Sequence, residues 1–83
     1  MPMSELPLAE RIARVLAGAS LSKNADGNNG SAAKHVDEHW KDHLNQAMAV
    51  LHTMREPDET MATAGDADVW RKMVGAAIDE SVD

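Results

Sequence analysis

No cysteine occurs in this 83-residue chain, which excludes disulfides, thiolate nucleophiles and thiolate metal sites together. A small domain without disulfides suits a reducing compartment. Phenylalanine and tyrosine are absent too, so aromatic bulk is confined to Trp40 and Trp70. The remaining core must come from six methionines and a modest set of Leu, Ile and Val. Methionine fills gaps adaptably rather than specifying one packing, which leaves room for a partner chain to complete the core. No apolar run approaches the roughly 20 residues that span a bilayer. The opening stretch, MPMSELPLAERIARVLAGAS, lacks a basic leader before its apolar part, so we expect no signal peptide and a cytoplasmic protein.

Basic residues are also scarce. Eight Lys and Arg face 14 Asp and Glu, for a formal net charge of −6. That balance opposes direct binding to nucleic acid, whose affinity rests on cations meeting phosphates. It permits the reverse role, in which an acidic surface occupies a basic groove on another protein. Ordinary solubility asks for the same excess of acid.

The length bounds the chain to a single domain, residues 1–83. Its hydrophobic spacing is helical throughout, with no strand-like alternation, and predicts an all-α fold. A first helix is expected over 7–17: Pro7 suits the first turn, Leu8, Ile12, Val15, Leu16 and Ala19 form the stripe, and Gly18 ends it. Residues 20–31, SLSKNADGNNGS, are too polar to bury and predict a long loop. A second helix is expected over 33–55. On it Val36, Trp40, His43, Leu44, Ala47, Met48, Val50, Leu51 and Met54 share roughly 160° of arc. Lys41, Asp42, Asn45, Gln46 and His52 lie outside that arc.

Pro57 disfavours helical geometry at Glu56 and so ends the second helix. A short helix over 57–64 follows, with Asp58 and Glu59 at the positive end of its dipole, Met61 and Ala64 facing inward, and Gly65 as a left-handed cap. Asp66 suits the N-cap of a last helix over 67–80, on which Trp70, Met73, Val74, Ala77 and Ile78 share a face. The architecture expected is a small bundle of three main helices plus a short helical turn. Trp40, Leu44, Leu51, Trp70 and Met73 are its core anchors.

Several patterns carry chemistry at least on paper. His35-Val36-Asp37-Glu38-His39 matches H-x-x-E-H, in which two His bind zinc and Glu acts as base. Catalytic zinc needs a third protein ligand and a walled cleft, and neither is identifiable. His35, His39 and His43 recur every four residues and are the metal candidates, with Asp42 or Glu38 to assist. Asn24, Asp26 and Asn28 imitate the start of a calcium-binding loop, but Asn29 stands where glycine is required and His35 where the bidentate Glu belongs. The glycines follow no phosphate-binding fingerprint. These readings assign no catalytic residue, no cofactor and no metal.

The segment from Ala47 to Met61, AMAVLHTMREPDETM, followed by Ala64-Gly65 and by WRKMVGAA from Trp70, carries a resemblance. With ERIARVL at residues 10–16 and Trp40 upstream, it resembles a group of small uncharacterised proteins common in phages and prophages of alphaproteobacteria. Their shared pattern is E-R-I-A-R-x-L, a polar loop leading to W, then M-R-E-P-x-E-x-M, A-G and W-R-x-M. The resemblance covers most of the chain except the loop. It implies a phage-related setting in a bacterial host and a compact helical fold, and it implies no catalytic activity.

The function expected is therefore non-enzymatic: a small acidic interaction protein that binds a protein partner through a helical or acidic surface. Asp37, Asp42, Glu56, Asp58 and Glu59 are the partner-binding candidates. One alternative is an acidic inhibitor of host defence, similar to an anti-CRISPR protein, that blocks a basic nucleic-acid groove. Another is metal binding by His35, Glu38 and His39. A homodimer pairing the faces that run from Trp40 to Met54 is a further arrangement the spacing allows.

Overall fold

Helix α1, Leu8–Asn24, opens where the Pro7 carbonyl accepts a hydrogen bond from the Arg11 amide at 3.1 Å. The computed structural model describes residues 5–24 and 32–81. After α1 come α2 (Ala32–His39), a 3₁₀ turn (Trp40–His43), α3 (Leu44–Met54), α4 (Glu59–Ala64) and α5 (Ala67–Ser81). The described residues are all-helical and contain no strand.

The most buried side of α1 is a seam of alanines. Ala9, Ala13 and Ala17 retain 1%, 0% and 0% of their exposure and recur every four residues on one face. Small side chains let a neighbouring backbone come close, and α1 packs along α2, the 3₁₀ turn and α3. The spacing had centred this stripe elsewhere. Leu8, Ile12 and Leu16 flank the seam half-buried, while Val15 is 70% exposed and Ala19 is exposed. Alanine scores weakly in a hydrophobic pattern, so the pattern follows the larger flanking residues.

Gly18 does not stop α1. It lies inside the helix, half-buried, where a Cβ would sit 3.7 Å from Val36 Cγ2 of α2. Glycine costs a helix interior only about 1 kcal/mol, which packing against α2 can offset. Residues 20–24 of the expected loop are consequently helical, and its remainder, 25–31, lies outside the described residues.

The helix expected over 33–55 is present as three segments. At His39 (φ −120°, ψ −3°) and His43 (φ −101°, ψ 6°) the backbone departs from α geometry, and the turn between them tightens to 3₁₀. Side chains three apart eclipse in that geometry. The local pairs fit it: His39 Nδ1 lies 3.2 Å from Asp42 Oδ2, and His43 Nδ1 lies 2.9 Å from Gln46 Oε1. A 3₁₀ turn advances about 120° per residue against 100° in an α-helix, so four residues shift the phase of α3 relative to α2 by about 80°.

The core forms where α1, α3 and α5 meet. Leu51 is the largest fully buried side chain and clusters with Ala9, Val74 and Ile78. Leu44, Met48, Met54 and Trp70 pack against this cluster, each half-buried. Met73, expected among the core anchors, is 66% exposed. Val74 and Ile78 are the α5 positions turned onto α3 and α1, and Met73, one residue before Val74, is rotated off that contact.

The corner between α3 and α5 also departs from expectation. Asp58, not Pro57, begins α4: its extended backbone and its carboxylate, which accepts from the Met61 amide at 2.9 Å, make it the N-cap. Gly65 has φ −157° and ψ −157°, extended rather than left-handed, while its amide donates to the Met61 carbonyl at 3.0 Å. The chain runs straight on into Asp66, which caps α5 by accepting from the Asp68 and Val69 amides at 2.9 and 3.2 Å. Met61 and Ala64 do not face inward, and all six residues of α4 are exposed.

Two substitutions test this packing. Leu51→Ala should cost about 2–5 kcal/mol, a large part of the 5–15 kcal/mol typical of a domain. Gly75→Ala, inside α5 with open space where the Cβ would go, should stabilise by about 0.5–1 kcal/mol. Urea denaturation followed by circular dichroism reads both. A neutral Leu51→Ala would overturn the placement of the core.

Candidate functional site

Arg55 donates its amide to the Leu51 carbonyl at 3.1 Å as α3 ends. The last carbonyls of a helix have no partner within it. Trp70 satisfies one of them: its indole Nε1 donates to the Met54 carbonyl at 2.6 Å. The bond ties the first turn of α5 to the end of α3. A second tie runs on the surface, where Arg71 pairs with Glu56 at 2.6 Å and with Asp68 of its own helix at 3.2 Å. The Arg71 hydrogen bond, and then its charge, hold the Glu56 carboxyl below the ordinary carboxylate range. Glu56 in turn raises the Arg71 guanidinium.

Between α4 and α5 these contacts leave a groove of about 230 Å³, lined by Pro57, Met61, Gly65, Val69, Trp70 and Met73 together with the Asp66 cap and Ala67. Three of its apolar side chains are open to solvent: Met61 is 39% exposed, Val69 48% and Met73 66%. Small-molecule sites run at roughly 300–1,000 Å³. The groove is smaller and matches protruding side chains better than an organic cofactor. A shallower hollow of about 150 Å³ lies between Pro7, Glu10, Trp40 and Leu44.

The five acidic candidates fall into two places. Asp37 and Asp42 lie on the α2 side, where both are engaged. Asp37 accepts from Arg14 at 2.7 Å, and Arg14 also holds Glu10 at 2.9 Å. The Arg14 guanidinium, raised by those two carboxylates, stands 5.3 Å from the centre of the Trp40 ring. Lys41 Nζ lies 5.7 Å from the same ring. Asp42 meets His39. Glu56, Asp58 and Glu59 belong instead to the connection from α3 into the start of α4, where all three are exposed.

The histidines do not assemble a metal centre. The His35 and His39 rings lie against each other in a tilted arrangement, with centres 4.6 Å apart and planes at 34°. Glu38 is exposed, and His43 is turned to Gln46. Among the described residues, no group of three or more His, Cys, Asp or Glu is placed to hold a metal ion. The Asn24-Asp26-Asn28 pattern falls largely on residues outside the described set.

Sequence reasoning missed the apolar side of the corner. It assigned Met61 and Met73 inward positions and gave Val69 no role. The signal that could have found them is length. A helix bounded by Asp58 and Gly65 has fewer than two turns and cannot cover the face of α5 beside it. No protein-family model, curated protein or solved structure matches the chain.

The lowered Glu56 carboxyl sets a pH dependence. A group whose native pKa is depressed stabilises the fold above its unfolded pKa, and that contribution is lost as pH falls through the native value. Wild type should therefore melt above Glu56→Gln at neutral pH, and the two melting temperatures should converge as pH drops through and below the carboxylate range. Added salt should shrink the neutral-pH difference, because the pair is exposed. A difference that persisted unchanged at low pH would show that the ion pair is not its source.

Proposed function

We propose that the protein is a non-enzymatic interaction protein whose α4–α5 corner receives a protein partner. The observation that carries this reading is the cluster of Met61, Val69 and Met73, exposed around a groove that the half-buried Trp70 also lines. Apolar side chains scattered singly over a surface need no explanation, but contiguous ones rimmed by polar residues mark interaction sites. Two N-caps and the Trp70–Met54 bond hold the corner's backbone in place. A partner would therefore meet a surface already formed, at little ordering cost. A phage-related role in the cytoplasm of a bacterial host is the setting we attach to it.

A second reading is favoured by charge. From Glu56 to Trp70 the chain carries five acidic residues and no Lys or Arg. An acidic inhibitor of host defence would use this stretch to occupy a groove built for nucleic acid, much as an anti-CRISPR protein does. Metal binding has less support, since it rests on the His35 and His39 pair alone.

Affinity capture from host lysate with wild type and Met73→Asp separates these readings. Wild type should recover a stoichiometric partner. Met73→Asp, at an exposed position that leaves the fold intact, should weaken capture by about thirtyfold, as loss of a hot spot worth about 2 kcal/mol does. Undiminished capture by Met73→Asp would overturn the corner as the binding surface. Capture that collapses with modest salt while tolerating Met73→Asp would favour the acidic inhibitor.

A further inference from the structure

The apolar groove of the α4–α5 corner is open at its rim, and the chemistry of that rim selects among occupants. Asp66 lines the groove, and Asp58 accepts from the amide of the lining residue Met61. Glu56, Glu59 and Asp68 are neighbours in sequence of the lining or capping residues, in a stretch from Glu56 to Trp70 without a single basic residue. Arg71 neutralises part of this charge through Glu56 and Asp68. Asp58 and Asp66 direct one carboxylate oxygen each to helix-capping amides, and among the described residues no cation pairs with Asp58, Glu59 or Asp66. Lys72 is the exposed basic residue of α5 nearest to the groove in sequence.

Geometry narrows the form of the occupant. Val69 and Met73 lie one turn apart on α5, about 6 Å along its axis, and Met61 faces them from α4 across the groove. A helix laid into the groove presents its own apolar residues at the same spacing of three and four, so that its ridge enters between Met61 and the Val69–Met73 row. The groove's size admits such anchoring side chains and falls short of a small-molecule site.

Resting on the reading of this corner as an interaction surface, we infer that its occupant is a cationic amphipathic helix of another protein. The helix seats an apolar stripe on Met61, Val69, Trp70 and Met73 and lays Lys or Arg against Asp58, Glu59 and Asp66. A second copy of this chain fits poorly, because Asp58, Glu59 and Asp66, the acids that Arg71 does not answer, would be brought against their own copies across a twofold interface. Nucleic acid is repelled outright.

The test uses the 83-residue chain carrying Trp40→Phe, so that Trp70 in the groove is its only tryptophan. The probes are two helical peptides, each a pair of Leu-Lys-Lys-Leu-Leu-Lys-Leu heptads or the same with Glu in place of Lys. The lysine peptide should bind saturably, shift Trp70 emission to the blue and weaken with salt, while the glutamate peptide should not bind. Met73→Asp should weaken the lysine peptide tenfold or more, and Glu59→Lys should weaken it several-fold with the helical spectrum intact. Equal binding of both peptides, or lysine-peptide binding indifferent to Met73→Asp, overturns the proposal. So does a dimer seen by light scattering that Met73→Asp dissolves, which makes a second copy the occupant. If the lysine peptide fails while Met73→Asp still abolishes capture from lysate, the cationic helix falls and the corner as a binding surface stands. If capture is also indifferent to Met73→Asp, both fall.

Discussion

The arrangement depends on the burial of Leu51 where α1, α3 and α5 meet. This is the largest side chain in the described core that is wholly removed from water, and its neighbours there are Ala9, Val74 and Ile78. A chain without Phe or Tyr has few ways to fill a large interior. It instead brings backbones close, through the Ala9, Ala13 and Ala17 seam, and places a small set of aliphatic side chains, Leu51 with Val74 and Ile78, at the crossing. The half-buried ring of Leu44, Met48, Met54 and Trp70 then closes that small centre. Such a core is economical in bulk but narrow. It leaves the outer part of the α5 face uncovered, which is where Met73 and Val69 emerge.

The corner follows from this geometry together with local hydrogen bonding. Once Val74 and Ile78 are turned onto α3 and α1, Trp70, four residues before Val74, lies over the end of α3, and its indole donates to the Met54 carbonyl. The chain between, 55–66, must then cross from one helix end to the other. It does so with Pro57 ending the old direction and with Asp58 and Asp66 each starting a helix through backbone amides. The helix so formed is too short to bury a face, so Met61 remains exposed. The apolar groove is therefore a by-product of a tight connection, made of residues whose exposure no packing in the described chain relieves.

Much of this was legible in the sequence, and the failures share a cause. The all-helical class, the break at Glu56-Pro57, the Asp66 cap and the burial of Ala47 and Leu51 all follow from spacing and capping chemistry within a few residues. Tertiary placement decided what was missed. Val15 and Met73 are as apolar as their neighbours and lie on acceptable helical stripes; only the position of the neighbouring helix determines which side of the stripe is covered. Gly18 reads as a stop until Val36 is seen opposite it. The 3₁₀ turn at Trp40–His43 has no period of its own, and it moves α3 out of phase with α2 in a way that a single helical wheel cannot show.

The acidic residues repay the same distinction between local pattern and placement. All five candidates look alike as sequence, yet the fold gives them different work. On the α2 side Asp37 is fastened to Arg14, which also meets Glu10 and the face of Trp40, and Asp42 is matched to His39. The charge of Asp37 is already answered within the chain, and its ion pair holds α1 to α2. At the corner Glu56 is answered by Arg71, but Asp58 turns to a backbone amide and, among the described residues, Glu59 meets no cation. A cap satisfies one oxygen of a carboxylate and leaves its charge uncompensated. At the corner, uncompensated acidic charge and uncovered apolar side chains thus occur together, and a partner able to answer both at once gains on each. Charge by itself would have favoured either end of the molecule, and exposed methionines alone would have been indifferent to sign. Their coincidence along a single groove is what gives the surface a preferred complement.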